Sequence, residues 1–244
     1  MIRPFLIALQ FLTRLPVTLD GVPDNRDIGR SLLYYPLVGL LIGALLAALS
    51  WALADAPPLL RAALLLTAWV GITGALHLDG LADSADAWVG GFGDRERTLA
   101  IMKDPNCGPM GVVALALLLM IKFAALHSIE SNDWLTLVLI PMLARGAVPL
   151  LFLTTPYVRF GGLGSALSAN APRTACAAMI AAMWVVILIA AQMRGLWLVI
   201  AGVSVFLLLR HAMMKRLGGT TGDTTGAVVE LSEAAMLVTA LLVA

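Results

Sequence analysis

Charge is scarce in this 244-residue chain: Asp, Glu, Lys and Arg together make 13% of it, against 60% hydrophobic residues. A soluble domain carries roughly a quarter charged residues, so a soluble globular fold is excluded. Cysteine is scarcer still. Cys107 and Cys176 are the only two, too few for a disulfide framework. Cys107 lies in a polar loop and Cys176 opens an apolar run, which sets them apart. No Cys/His zinc spacing is present, and no GxSxG nucleophile elbow. The net charge of +1 gives no reason to expect nucleic acid as a partner. No polar segment is long enough to fold separately. The N-terminus MIRPFLIALQFLTRLPV lacks a small-residue cleavage site, with Arg14 and Pro16 where cleavage would fall, so it is not read as a signal peptide. It reads instead as a short amphipathic helix on the membrane surface.

What is abundant is apolar sequence in runs near the ~20 residues that cross a bilayer. Seven spans are expected, near 33–54, 60–79, 110–128, 134–155, 174–192, 195–212 and 226–243. Pro57-Pro58, Pro105, Pro109 and Pro172 punctuate the joints. Basic residues then set the orientation. With the N-terminus inside, twelve of the sixteen Lys and Arg fall on inner segments, Arg61 and Arg194 lie outside, and Lys122 and Arg145 lie within spans. The expected fold is an all-α polytopic transmembrane helix bundle. It forms one domain over residues 1–244, with a cytoplasmic N-terminus and long inner loops near 80–109, 156–173 and 213–225. Function favours long loops on a rigid scaffold.

The most informative motif is HLDGLADSAD, which sets Asp79, Asp83 and Asp86 at i, i+4 and i+7. On a helix these share one face. Carboxylates crowded at a membrane edge repel each other, and a hard divalent cation such as Mg²⁺ offsets that repulsion while holding substrate phosphates. A solvated helix start with favourable dipole charges is the bland alternative. His77, two residues earlier, suits either a phosphate contact or the end of the apolar span.

The following loop, GGFGDRERTLAIMKDPNCGPMG, offers glycines for close backbone approach. It also carries Arg95, Arg97 and Lys103 for phosphate and Asp104 for metal or proton transfer. It reads equally as an amphipathic surface helix. Near the C-terminus, Gly218-Gly219-Thr220-Thr221-Gly222-Asp223-Thr224-Thr225-Gly226 joins glycine backbone, hydroxyls and one carboxylate beside Arg210, Lys215 and Arg216. This suits phosphate binding through Gly219, Thr221 and Gly222. It is not a Walker A loop, because no Lys-Ser/Thr follows the glycines. Asp223 is the expected fourth metal ligand. Glu230 and Glu233 share a face just beyond, and either complete the metal site or pair with a basic residue. Arg145, mid-span, must face a partner or a cavity; a substrate phosphate and a glutamate both qualify. Lys122 is nearer a span end, where snorkelling is available.

These motifs, in this order, resemble those of the cobalamin synthase family (adenosylcobinamide-GDP ribazoletransferase). The resemblance rests on FLTRLPV at 11–17, YYPLVGLLIG at 34–43, HLDGLADSAD at 77–86, DRERTLAIMKD at 94–104 and GGTTGDTTGAVVELSE at 218–233. It implies a multi-pass enzyme of the bacterial inner membrane, with its site facing the cytoplasm. Such an enzyme joins adenosylcobinamide-GDP to α-ribazole, or to α-ribazole 5′-phosphate, releasing GMP with the aid of Mg²⁺. The expected metal ligands are Asp79, Asp83, Asp86 and Asp223. Arg95, Lys103 or Arg145 would hold phosphate oxygens, and Asp104 or a clustered aspartate would serve as base. The expected partners are the two substrates and the lipid bilayer; a homo-oligomer is an open alternative to a monomer.

Two other readings compete. A CDP-alcohol phosphotransferase also clusters aspartates with Mg²⁺ at a membrane edge, but here no Ala-Arg pair follows the first Asp-Gly. An ion transporter would place carboxylates along a midplane path and commonly shows internal repeats. No convincing repeat is found.

Overall fold

The computed structural model describes residues 2–19 and 21–243, and among them it is a helix bundle without strands. The elements are α1 (Ile2–Leu12), α2 (Asn25–Ser31), α3 (Tyr35–Ala52), α4 (Pro58–Thr73), α5 (Leu76–Gly90), α6 (Arg95–Ile101), α7 (Pro109–Ser128), α8 (Trp134–Thr154), α9 (Gly162–Asn170), α10 (Arg173–Leu217) and α11 (Gly222–Leu242). Proline opens several of them. Pro36, Pro58 and Pro109 sit in the first turn of α3, α4 and α7, where a missing N–H costs nothing. The N-terminal stretch is helical as expected. One face of α1, including Ile7, Ala8 and Leu12, is buried against α2 and α3.

By length and composition five segments qualify as membrane spans, and the bent pair α4–α5 makes a sixth. Helix α10, at 45 residues, would extend about 68 Å if straight, twice a bilayer core. It is not straight. Gln192 leaves helical geometry (φ 45°, ψ −122°). Beyond it, a Cβ built on Gly195 would lie 2.6 Å from the Ile187 carbonyl oxygen. Eight residues of continuous helix would separate them by about 12 Å, so the chain reverses there. Arg194 Nη1 then reaches Asp133 Oδ2 at 2.9 Å, joining this reversal to the α7–α8 loop. The two arms of α10 account for the sequence spans near 174–192 and 195–212.

Small residues set the closest helix contact. Gly39 and Gly43 of α3 lie against the backbone of Pro141, Leu137 and Val138 in α8, the small-xxx-small approach that membrane helices use.

One expectation is corrected. The second span does not run through to Asp79. It ends at Thr73, and Gly74 and Ala75 both adopt left-handed backbone (φ 62° and 57°). The axis bends by 88° and α5 begins. The apolar run continues across the break, so hydropathy alone conceals it.

Candidate active site

The bend gives the aspartates a helix of their own. Helix α5 packs on α7 and α11, and two glycines control the second contact. A Cβ on Gly80 would lie 2.7 Å from the Asp223 carbonyl oxygen, and one on Gly226 would lie 3.0 Å from the His77 carbonyl oxygen. This close crossing brings Asp79 and Asp83 to Asp223, almost 150 residues away in sequence. Asp83 stands within electrostatic reach of Asp79, Asp223, Arg159 and Asp86, in that order of strength. Asp223 in turn interacts with Arg159 and Asp79. The expected meeting of the two acidic segments is therefore present in the fold.

Helix α11 is built to present Asp223. Thr221 caps it: its hydroxyl accepts from Thr224 N (3.2 Å), while Thr221 N donates to the Thr224 hydroxyl (2.8 Å). Thr220 and Thr225 extend this buried hydroxyl network. Thr221 is wholly buried, so its expected role on phosphate is replaced by a capping role. Gly219 is corrected likewise. A side chain there would run into the Pro156 carbonyl, and Thr220 N donates to that oxygen at 2.8 Å while Val158 N donates to Thr220 O at 2.9 Å. The glycine lets the two loops lie together. Gly222 alone of the three faces the open space beside Asp223.

Those stitched loops deliver residues that the sequence reading passed over. Arg159 Nη2 lies 2.9 Å from Asp223 Oδ2 and donates to the Met102 carbonyl at 3.1 Å. Tyr157, beside it, accepts a hydrogen bond from the Gly222 backbone. Burial, with a smaller push from Asp223, raises its phenol above the ordinary range, so it stays protonated. No composition or spacing signal marks either residue; only the pairing of 156–158 with 219–220 brings them in.

Several expected site residues have other partners. Asp86 accepts from Gly108 N (2.7 Å) and Gly111 N (2.9 Å), capping the start of α7. Its two oxygens are engaged there, and the metal role expected for it is withdrawn. Arg145 is wholly buried and ion-paired with Glu233, which removes it from the phosphate contacts. Lys122 does not snorkel. It is buried, 2.5 Å from both Glu230 and Glu233, and its ammonium lies 4.7 Å from the Trp69 ring centre. The two glutamates are thus spent on Lys122 and Arg145 rather than on a metal. Arg95 Nε donates to the Leu217 carbonyl at 2.7 Å, capping the end of α10. Asp104 is exposed and accepts from Asn106 N and Nδ2. Those bonds hold its carboxyl below the usual range, a poor setting for a base. Lys103 is exposed and has no bonded partner among the described residues.

A cavity of about 170 Å³ opens beside the acidic cluster. His77, Asp79, Gly222, Asp223 and Thr225 line it, together with Phe11, Tyr35, Phe152 and Tyr157. Among the described residues no three of His, Cys, Asp and Glu converge tightly enough to form a ready-made metal centre. The donor set still suits Mg²⁺, which keeps several waters and takes one or two carboxylates plus substrate phosphates. Asp79 and Asp223 supply such carboxylates at the cavity, with Asp83 within electrostatic reach of both.

The chain is similar to several curated proteins named adenosylcobinamide-GDP ribazoletransferase. That of Pseudomonas fluorescens strain Pf-5 is 57% identical over 235 residues, covering 96% of this chain and 97% of the relative. That of Pseudomonas putida strain GB-1 is 58% identical over 237 residues, covering 96% of each. That of Stutzerimonas stutzeri strain A1501 is 56% identical over 236 residues, again covering 96% of each. No solved structure matches. A family model described as cobalamin-5-phosphate synthase matches residues 4–241. With both acidic segments and nearly the full length inside that match, the chain belongs to the cobalamin-5-phosphate synthase family.

Proposed function

We propose that this chain joins adenosylcobinamide-GDP to α-ribazole, or to its 5′-phosphate, with release of GMP. The relatives' shared name supports this. The observation that carries it is the convergence of Asp79 and Asp83 with Asp223 and Arg159, beside a cavity that Asp79 and Asp223 line. The reaction is a phosphoryl transfer. A ribose hydroxyl attacks the cobinamide-linked phosphorus, a new P–O bond forms, the pyrophosphate P–O bond breaks, and GMP departs. Positioning and electrostatic stabilisation dominate such chemistry.

Each residue's part follows from its setting. Asp79, Asp83 and Asp223 would hold Mg²⁺, which would supply positive charge against the pyrophosphate and the departing oxygen. Arg159 is paired with Asp223, and a phosphate oxygen drawn to that carboxylate's metal would meet its guanidinium. The N-terminus of α11 at Gly222 adds a partial positive charge suited to an anion. Asp79 is exposed, and it or Asp83 takes the hydroxyl proton. The bilayer in question is the bacterial inner membrane, with this site facing the cytoplasm.

The test is GMP release by the purified full chain in detergent or liposomes, with each substrate and Mg²⁺ omitted in turn. GMP and a joined corrinoid nucleotide should form only when all three are present. Product from a CDP-lipid and an alcohol instead, or activity indifferent to Mg²⁺, would overturn the proposal.

A further inference from the structure

The cavity beside Asp79 and Asp223 has aromatic walls. Phe11 packs on Tyr35 with ring centres 6.4 Å apart, and Phe152 on Tyr157 at 5.8 Å. At about 170 Å³ it matches the scale on which an apolar cavity of ~150 Å³ takes one flat ring; a corrin macrocycle is far too large. Besides the carboxylates of Asp79 and Asp223 and the hydroxyl of Thr225, one polar group of the lining is buried and unpaired. His77 is 5% exposed, lines the cavity, and its buried Nδ1 has no hydrogen-bond partner. A buried polar atom left unpaired in a native fold calls for an explanation, and a ligand atom that completes it is the simplest one.

We infer that this cavity receives the benzimidazole base of the acceptor nucleoside, with His77 Nδ1–H donating to the base's one bare ring nitrogen. The inference rests on the proposed reaction and assigns one of its substrates to a place. The ring enters a cavity that both aromatic pairs line, where stacking and edge contacts reward a flat apolar body. Its ribose then emerges at the mouth, beside Asp79 and Asp223, where the attacking hydroxyl is needed. Guanine is the competing occupant, because the Asp79 and Asp223 carboxylates of the lining can accept from its N–H edge, and GMP binding distinguishes the two. With the base in the cavity, the cobinamide-GDP pyrophosphate approaches from outside, toward Arg159.

The ring-facing histidine also carries a tautomer requirement. A bare ring nitrogen accepts only, so His77 must hold its proton on Nδ1. An asparagine amide can place a donor near the same point, whereas phenylalanine keeps the ring volume and removes the donor.

The experiment uses the full chain in nanodiscs. Binding of 5,6-dimethylbenzimidazole and of α-ribazole is measured by calorimetry, with GMP as comparator, and KM for each substrate is measured by turnover. In H77F, affinity for both benzimidazole probes should fall about tenfold, the usual worth of one hydrogen bond. KM for α-ribazole should rise about tenfold, with KM for adenosylcobinamide-GDP and affinity for GMP unchanged. H77N should recover most of the loss. F152L serves as a second variant should H77F fold poorly, and it should weaken the same probes alone. Loss of GMP affinity in H77F or F152L would put guanine in the cavity and overturn the inference. Unchanged benzimidazole affinity in both variants would also overturn it. Failure of the wild-type chain to form product defeats the reaction instead, and is read separately because the base alone needs no turnover to bind.

Discussion

A methyl group on Gly80 would stand 2.7 Å from the carbonyl oxygen of Asp223. The approach of α5 to α11 therefore depends on a missing side chain, and the acidic cluster depends on that approach. G80A forces the helices apart or strains them, at a cost of about 1–3 kcal/mol. The expected outcome is a lower unfolding temperature together with a fall in kcat on the order of 100-fold, since misplacement by 1 Å is enough for that. Gly226 meets the His77 carbonyl at the looser distance of 3.0 Å, so G226A should show the same signs in milder form. Turnover and thermal unfolding in detergent check both.

The carboxylates divide into two kinds, and a Mg²⁺ titration separates them. Asp79, Asp83 and Asp223 stand together around Arg159, whereas Asp86 is bound to Gly108 N and Gly111 N. D83N and D223N should lower kcat on the order of 100-fold or more and raise the Mg²⁺ concentration needed for half activity. D86N should leave that concentration unchanged and cost about 1 kcal/mol of stability through the weakened cap. A raised Mg²⁺ requirement in D86N alone would return that residue to the metal set.

Lys122, Glu230, Glu233 and Arg145 form a buried group of two cations and two anions. Charges this deep survive only when paired. E233Q strips Arg145 of its ion-pair partner and should cost about 3–5 kcal/mol, seen as loss of folded protein rather than as altered KM. The double change R145M/E233L removes both charges of the pair and should recover much of the folded yield, because an apolar pair of similar volume fits the interior. Size-exclusion profiles and unfolding temperatures of the three proteins decide it.

Much of this was legible before any coordinates. Apolar runs placed the helices, and the i, i+4, i+7 spacing placed Asp79, Asp83 and Asp86 on one helix. The expected approach of Asp223 to Asp83 is present in the fold. What the sequence hid was partnership. Arg145 and Glu233 each looked able to serve a substrate, and only packing shows that they neutralise each other. Asp86 shares its spacing with the other aspartates, yet the start of α7 claims it. The bend at Gly74 and Ala75 left no hydropathy trace. Arg159 and Tyr157 sit in a loop of ordinary composition, and their place depends on the hydrogen bonds of Thr220 to Pro156 and Val158.

Orientation is testable with the native thiols. Cys107 is exposed between α6 and α7, and Cys176 is buried. The loop holding Cys107 lies at the same end of the bundle as Asp86 and the start of α7. The distribution of basic residues predicts that this end faces the cytoplasm. A membrane-impermeant maleimide should therefore label inside-out vesicles and leave intact spheroplasts unlabelled until they are permeabilised. C107S should abolish the signal, since Cys176 is closed to the reagent. Labelling of intact spheroplasts would place the acidic mouth outside, where no cytosolic nucleotide substrate could reach it, and would overturn the topology together with the reaction built on it.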